Sequence, residues 1–387
     1  MNRISLAKRI NNNKRGYLII NSNQGKHKIA LIGTVINEYN DLTKEAKGCL
    51  ENALVIGFAE TATAIGATVA SSKQTLFMQT TREDVPGCEG EYINFTEAHS
   101  HAKMQRIIKA DMDSVYTQVE KIVFAEDEIT TGNTIWQCIE KLEDIYKGKK
   151  KYAIVAIINA LSQERREFFK EKNIDIVSLV DLNTSSFEED VRNIVENGAV
   201  YSIYSGEDKL PCYEGEEFLQ KKDMTVDNII FKTEVQTRRL MNIKKLDDEI
   251  KKLIIYLETE YGLKEILEDA KSITVLGSEE FTYVPFKLAE YIDINTDEDT
   301  KVYTHSTTRS PIMACSESDY PLHTRYEVRS VYCKNRQTYV YDLKKSDILF
   351  LVTDGSDEAG FESVLEAIRI SGNRHVYIIR WSNEEQL

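Results

Sequence analysis

Along the chain, short apolar runs alternate with stretches in which apolar residues recur every three or four positions. The runs ALVIGF (53–58), KIVFA (121–125), KYAIVAIIN (151–159) and IDIVSLVDL (174–182) are of strand length and apolar nearly throughout. Such runs mark strands buried on both faces of a mostly parallel sheet. Helical periods separate them. In NTIWQCIEKLEDIYKGK, Ile135, Ile139, Leu142 and Tyr146 share one face, and Lys147-Gly148 closes the helix. From Ser272 the alternation resumes with SITVLG, KVYTHS, SDILFLVTDG and HVYIIRW. The pattern predicts α/β architecture: a parallel sheet with helices on both faces over residues 1–205, a connecting helical segment over 206–270, and a second, smaller α/β domain over 271–387. No internal repeat is visible in the sequence.

Composition narrows the function classes. A chain of 387 residues exceeds one ordinary core, which fits two domains. No apolar run approaches the roughly 20 residues that span a bilayer, and the polar, basic first residues do not form a secretory signal. The six cysteines include no C-x-x-C pair. Together these point to a reduced, cytoplasmic protein without a disulfide frame. A formal net charge of −14 opposes nonspecific nucleic-acid binding.

The candidate chemistry sits in FAEDEITTGNT, residues 124–134. A strand ends in acids, a Thr-Thr-Gly loop follows, and a helix begins. The unpaired N–H groups of a first helical turn favour an anion. Thr130, Thr131 and Thr134 add hydroxyls, and Gly132 permits close approach. Glu126 and Asp127 would repel a phosphate, so they should face vicinal sugar hydroxyls or a magnesium ion bridging them. The residues describe a site for a pentose 5-phosphate; a solvated acidic turn capped by threonine is the plain alternative. The sequence GKH at 25–27 lacks the upstream glycine of a P-loop, Ile20 standing there.

VFAEDEITTGNT resembles the 5-phosphoribosyl-1-diphosphate (PRPP) motif of type I phosphoribosyltransferases, especially the orotate-type variant. Glu128 departs from it, since that variant usually has an apolar residue there. The resemblance implies that Ile129 to Thr134, including Asn133, bind the donor with Glu126 and Asp127, and that Mg²⁺ enters with PRPP. It also implies that Ala59, Glu60, Thr61, Ala62 and Thr63 offer amides to the leaving diphosphate. The polar stretch 80–104 takes the place of a mobile hood, bringing Arg82, His99, His101 and Lys103 to the reaction centre. Lys26, with Lys14, Arg15 and His27, is expected in a cationic wall facing the diphosphate.

HSTTRSPI (305–312), GSEEFTYVPFKLA and VTDG are similar to the TRSP domain. That domain follows phosphoribosyltransferase domains in bacterial operons beside tellurite-resistance and stress genes. NNNKRG, GFAETATAIG, TREDVPG and EAHSHA fit the first domain of the same family. In the second domain, Glu279, Glu280, Thr308, Arg309, Ser310 and Asp354 follow three strands and are expected to converge on a ligand at one sheet edge. The resemblance implies a transferase joining PRPP to a nucleobase-like acceptor, or the reverse reaction, with a possible homodimer. A PRPP- or nucleotide-sensing regulator, and a separate hydrolase or transferase activity of the TRSP domain, are the alternatives.

Overall fold

The structure, a computed structural model, describes residues 4–10, 15–21, 24–88, 90–95, 105–204, 206, 213 and 217–383. Two six-stranded sheets carry it. The first runs Ile174–Asp181, Lys151–Asn159, Lys121–Ile129, Ala53–Gly57, Leu76–Gln79, Met241–Asn242, and only the last pairing is antiparallel. The second runs Thr225–Thr233, His375–Asn383, Ile348–Thr353, Ser272–Gly277, Lys301–Ser306, Ala30–Leu31, again with only the last antiparallel.

These two orders share one topology, which corrects the expectation that the chain has no internal repeat. In each sheet the first strand sits centrally (Ala53–Gly57; Ser272–Gly277), the second pairs on one side, and the third and fourth extend the other. A hairpin separates the second strand from the third in both halves: Tyr92–Asn94 with Arg106–Ile108, and Thr324–Arg329 with Gln337–Tyr341. The outermost parallel strands differ, since Ile174–Asp181 follows its neighbour in the chain and Thr225–Thr233 precedes it. Strand cores accept Val, Ile, Leu and Phe interchangeably, so a repeat of topology need not survive as a repeat of letters.

Each half also lends the other an edge. Ala30–Leu31 closes the second sheet and leads into helix Ile32–Ala46, while Met241–Asn242 closes the first and leads into helix Ile243–Tyr261. Residues 206–270, expected as a connecting helical segment, therefore supply a strand to each large sheet. Strand Ala199–Ser202, from within the expected first domain, pairs with Thr324–Arg329 of the second half.

The halves share one core. Helix Ile32–Ala46 packs on Tyr283–Ile294, and helix Ala62–Ser71 packs on both Tyr283–Ile294 and Ile243–Tyr261. Tyr39 and Phe286 meet there with ring centroids 5.1 Å apart. Ala62–Ser71 (ATAIGATVAS) is buried along almost its whole length, which explains its small residues. At its closest approach to its own strand, a Cβ on Gly66 would stand 2.8 Å from the Cα of Gly57. No helix among the described residues is long and apolar enough to cross a membrane.

Candidate functional site

Each sheet reverses its winding next to its central strand, and the carboxyl ends on either side of that reversal form a crevice. In the first half the crevice lies between Ala53–Gly57 and Lys121–Ile129. Glu126 and Asp127 occupy the end of the latter strand and are half-buried. Burial pushes the Glu126 carboxyl well up, and the charges of Asp127 and Glu128 add to the effect. Asp127 is pushed up to about 7, first by burial and then by Glu128. Glu128, the residue that departs from the motif, is paired with Arg15. That arginine holds the third acid in an ion pair.

The loop after the acids turns at Gly132, with φ +67°, and helix Asn133–Tyr146 starts at the next residue. Ile129 is buried, Thr130 and Thr134 are half-buried, and Thr131 and Asn133 are exposed. The Thr131 carbonyl is held by Arg165 Nε at 2.8 Å. A Cβ on Gly132 would lie 2.5 Å from the ring of Phe169, which is fully buried. Gly132→Ala is therefore expected to destabilise the fold by about 1–3 kcal/mol, through the left-handed backbone and the clash together. Chemical denaturation of the variant checks this.

The loop 59–63, expected to offer amides to the diphosphate, is largely enclosed. Ala59, Glu60, Ala62 and Thr63 are buried, and Thr61 is half-buried. The Ala59 amide donates to Thr80 Oγ1 at 2.8 Å, and the Ala62 amide to the Phe58 carbonyl at 3.0 Å. These two amides are already used. The Glu60 carboxylate accepts from Thr308 Oγ1 at 2.9 Å and from the Arg309 amide at 3.2 Å. Burial alone would raise Glu60, but Lys26, Arg309 and Arg82 outweigh it and hold the carboxyl at about 2.

Lys26 is likewise corrected. Rather than lining an open wall, it is buried at the junction and donates to the carbonyls of Glu279 and, at 2.8 Å, Thr307. His27 is buried beside it, while Arg15 faces Glu128.

The second-half residues do come together, as their strand-end positions imply, and Glu280, Thr308 and Arg309 reach into the first half. Glu280 accepts from Thr81 Oγ1 and from the Arg82 amide, each at 2.7 Å. Glu279 binds Arg309 Nε at 2.6 Å and Arg336 at 2.8 Å. Asp354 is paired with Arg238 and accepts from the Tyr332 hydroxyl at 2.6 Å. Ser310 donates its amide to Thr308 Oγ1 at 3.2 Å. Glu83 pairs with Arg309 and Arg336. Buried carboxylates and guanidinium groups in this density are stable only when mutually paired, and here they are. A cavity of about 280 Å³ beside them is lined by Glu83, Arg238, Tyr332 and Asp354. Glu83, Arg238 and Arg336 were missed by sequence reasoning, because their partners lie far away in the chain and no local spacing signals them.

Arg82, like Arg309 and Arg336, keeps one buried nitrogen without a partner. Its guanidinium bears on both Glu60 and Glu126, whose carboxyl groups it draws down. Its Nε is nevertheless buried without a hydrogen-bond partner. An unpartnered buried donor beside the raised Glu126 carboxyl suits an anion. His99, His101 and Lys103 lie outside the described residues. Among the described residues no group of three or more His, Cys, Asp and Glu is arranged to hold a metal directly.

Comparison with known proteins adds to this geometry. Residues 4–186 match the family described as phosphoribosyl transferase, and residues 239–368 match the TRSP domain found C-terminal to it. No curated protein matches the chain. Similar solved structures include orotate phosphoribosyltransferase from Aeropyrum pernix, at 16% identity and TM-score 0.29, covering 41% of this chain and 76% of that one. The APRTase from Giardia lamblia complexed with 9-deazaadenine is 14% identical with TM-score 0.34, covering 46% and 94%. Adenine phosphoribosyl transferase from Trypanosoma brucei, in complex with AMP, pyrophosphate and ribose-5-phosphate, is 12% identical with TM-score 0.31, covering 46% and 76%.

Proposed function

The chain belongs to the phosphoribosyl transferases that carry a C-terminal TRSP domain, and from that premise we propose that it uses Mg-PRPP to build an N-glycosidic bond on a nucleobase-like acceptor. The observation that carries this reading is the grouping at the first crevice: two raised carboxyls, a hydroxyl loop opening a helix, and Arg82 with an unpartnered Nε. The 5-phosphate sits on the amides and hydroxyls of Thr130 to Thr134. The ribose diol faces Glu126 and Asp127, and Arg82 faces the diphosphate. When bound, Mg²⁺ supplies positive charge against the leaving diphosphate. The bond from C1 to the diphosphate oxygen breaks, C1 becomes oxocarbenium-like, and a ring nitrogen of the acceptor closes the new bond. The protein contributes positioning and charge stabilisation rather than a covalent intermediate.

Diphosphate release from Mg-PRPP, measured against a panel of nucleobases and related heterocycles, tests the reading. One acceptor should support turnover; binding of PRPP with no release under any acceptor would leave the second reading, a PRPP-sensing protein.

The position of Asp127 sets a pH dependence. Its carboxyl, raised from 3.8 to about 7, keeps its proton in the empty site below neutrality. Diol hydroxyls donate best to the ionised form, so donor binding draws the proton off. Affinity for PRPP should rise with pH up to about 7 and fall about tenfold per unit below it. Calorimetry at pH 7 in two buffers of different ionisation heat should report proton release on binding.

A further inference from the structure

The repeated topology extends to individual hydrogen bonds. Register the two central strands at Gly57 and Gly277, and the loops that follow correspond residue by residue. The Thr80 amide donates to the Gly57 carbonyl at 2.9 Å, and the Thr307 amide to the Gly277 carbonyl at 3.1 Å. Thr80 Oγ1 accepts the Ala59 amide at 2.8 Å; Thr307 Oγ1 accepts the Glu279 amide at 3.0 Å. Thr81 bridges to Arg106 of one hairpin, and Thr308 to Tyr339 of the other. Across the junction the exchange is reciprocal. Glu60 holds the hydroxyl of Thr308 and the amide of Arg309, and Glu280 holds the hydroxyl of Thr81 and the amide of Arg82. The sequence Thr-Thr-Arg recurs at 80–82 and 307–309. The exchanged edge strands obey the same register, Met241 pairing with Phe77 and Ala30 with Thr304.

The same registration places Phe124, the partner of Ile56, opposite Leu351, the partner of Leu276. Three residues further on, Asp127 then corresponds to Asp354. Here the halves part. Asp127 stands half-buried at its strand's end with its carboxyl raised, whereas Asp354 is consumed by Arg238 and Tyr332. The helix after Asp354 is capped from within: Asp357 accepts the Gly360 amide at 2.8 Å. A carboxylate already occupying that helix start excludes a phosphate from it.

We infer that the second half is an internal copy of the transferase half that has given up its own donor site and serves as a fixed partner. In this arrangement Glu280 positions the Thr81–Arg82 turn for the donor's diphosphate. Glu280 touches no donor atom; it is a positioning residue, acting through the Arg82 amide. The ligand named here rests on the donor reading above, whereas the reciprocal clamp does not.

The test uses the full chain and Glu280→Gln, titrated separately with ribose 5-phosphate and with inorganic diphosphate plus Mg²⁺. The 5-phosphate contacts belong to the first half alone, so ribose 5-phosphate should bind both proteins equally. Diphosphate should bind the variant about tenfold more weakly, for one charged hydrogen bond lost. Equal diphosphate affinity in both proteins overturns the inference while leaving the donor reading intact. If neither ligand binds the parent chain, the donor reading fails, and hydrogen exchange judges the clamp by itself. Glu280→Gln should speed exchange at residues 79–84, and Glu60→Gln at residues 306–311, each without the other; exchange unchanged in both overturns it. Should Glu280→Gln not fold, Thr81→Val, which removes only the hydroxyl contact, takes its place with the same expected outcomes.

Discussion

Asp127→Asn is expected to lower PRPP-dependent turnover by about 100-fold, because an amide replaces a charged acceptor of the sugar hydroxyls. The effect should fall on donor affinity and turnover together, and the acceptor's own affinity should hardly change. A purely structural role predicts something different. The Asp127 carboxyl is raised to about 7 by burial and by Glu128. A carboxyl with a raised folded pKa favours the folded state while protonated. That benefit fades as pH climbs from 3.8 through 7, and above 7 the buried charge is a standing cost. Asparagine removes the cost. The variant should therefore melt at or above the temperature of the parent at pH 8 while losing activity, a trade common where a site is built against stability. Melting curves and turnover at pH 8, measured side by side, separate the two roles. A variant that is both inactive and less stable would count against the assigned site.

The second large effect is expected on folding. A fragment starting at residue 246, which takes the C-terminal half as a free domain, should fail to fold. It lacks Thr225–Thr233, the outer parallel strand of its own sheet, and Ala30–Leu31, its opposite edge. It also exposes the faces of helices Ile243–Tyr261 and Tyr283–Ile294 that pack on Ala62–Ser71. The fragment 1–205 loses Met241–Asn242 and uncovers a helix buried along almost all its length. Two halves joined by a shared apolar core and exchanged edges should unfold as one unit, unlike domains that meet across a small polar contact. Scanning calorimetry should show a single cooperative transition for the full chain and none for either fragment. Two independent transitions would contradict the shared core.

The parts of this architecture that were legible in the sequence are those with a local pattern. Continuous apolar runs such as KYAIVAIIN could only be buried parallel strands, and the acids followed by Thr-Thr-Gly marked a strand-to-helix turn at a sheet's carboxyl edge. The clustering of Glu279, Thr308 and Asp354 at strand ends was readable for the same reason. Their partners were not. Glu60 meets Arg309 across 249 residues of chain and Glu280 meets Arg82 across 198, and no spacing rule reaches that far. The burial of loop 59–63 was not legible, because its small residues fit a phosphate and fit a tight helix packing equally well. The role of Glu128 became clear only once Arg15 was seen to pair with it. The repeat itself stayed hidden because it is preserved in winding order, in register and in Thr-Thr-Arg, while the apolar letters around it have drifted.

The central claim is that the first crevice holds an activated pentose phosphate. Titration calorimetry of the full chain with PRPP and excess Mg²⁺ addresses it most directly. The account predicts saturable heat at one site per chain, competed by ribose 5-phosphate and lost in Asp127→Asn. A flat thermogram, or saturation at two equivalent sites per chain that ignores ribose 5-phosphate, would contradict it.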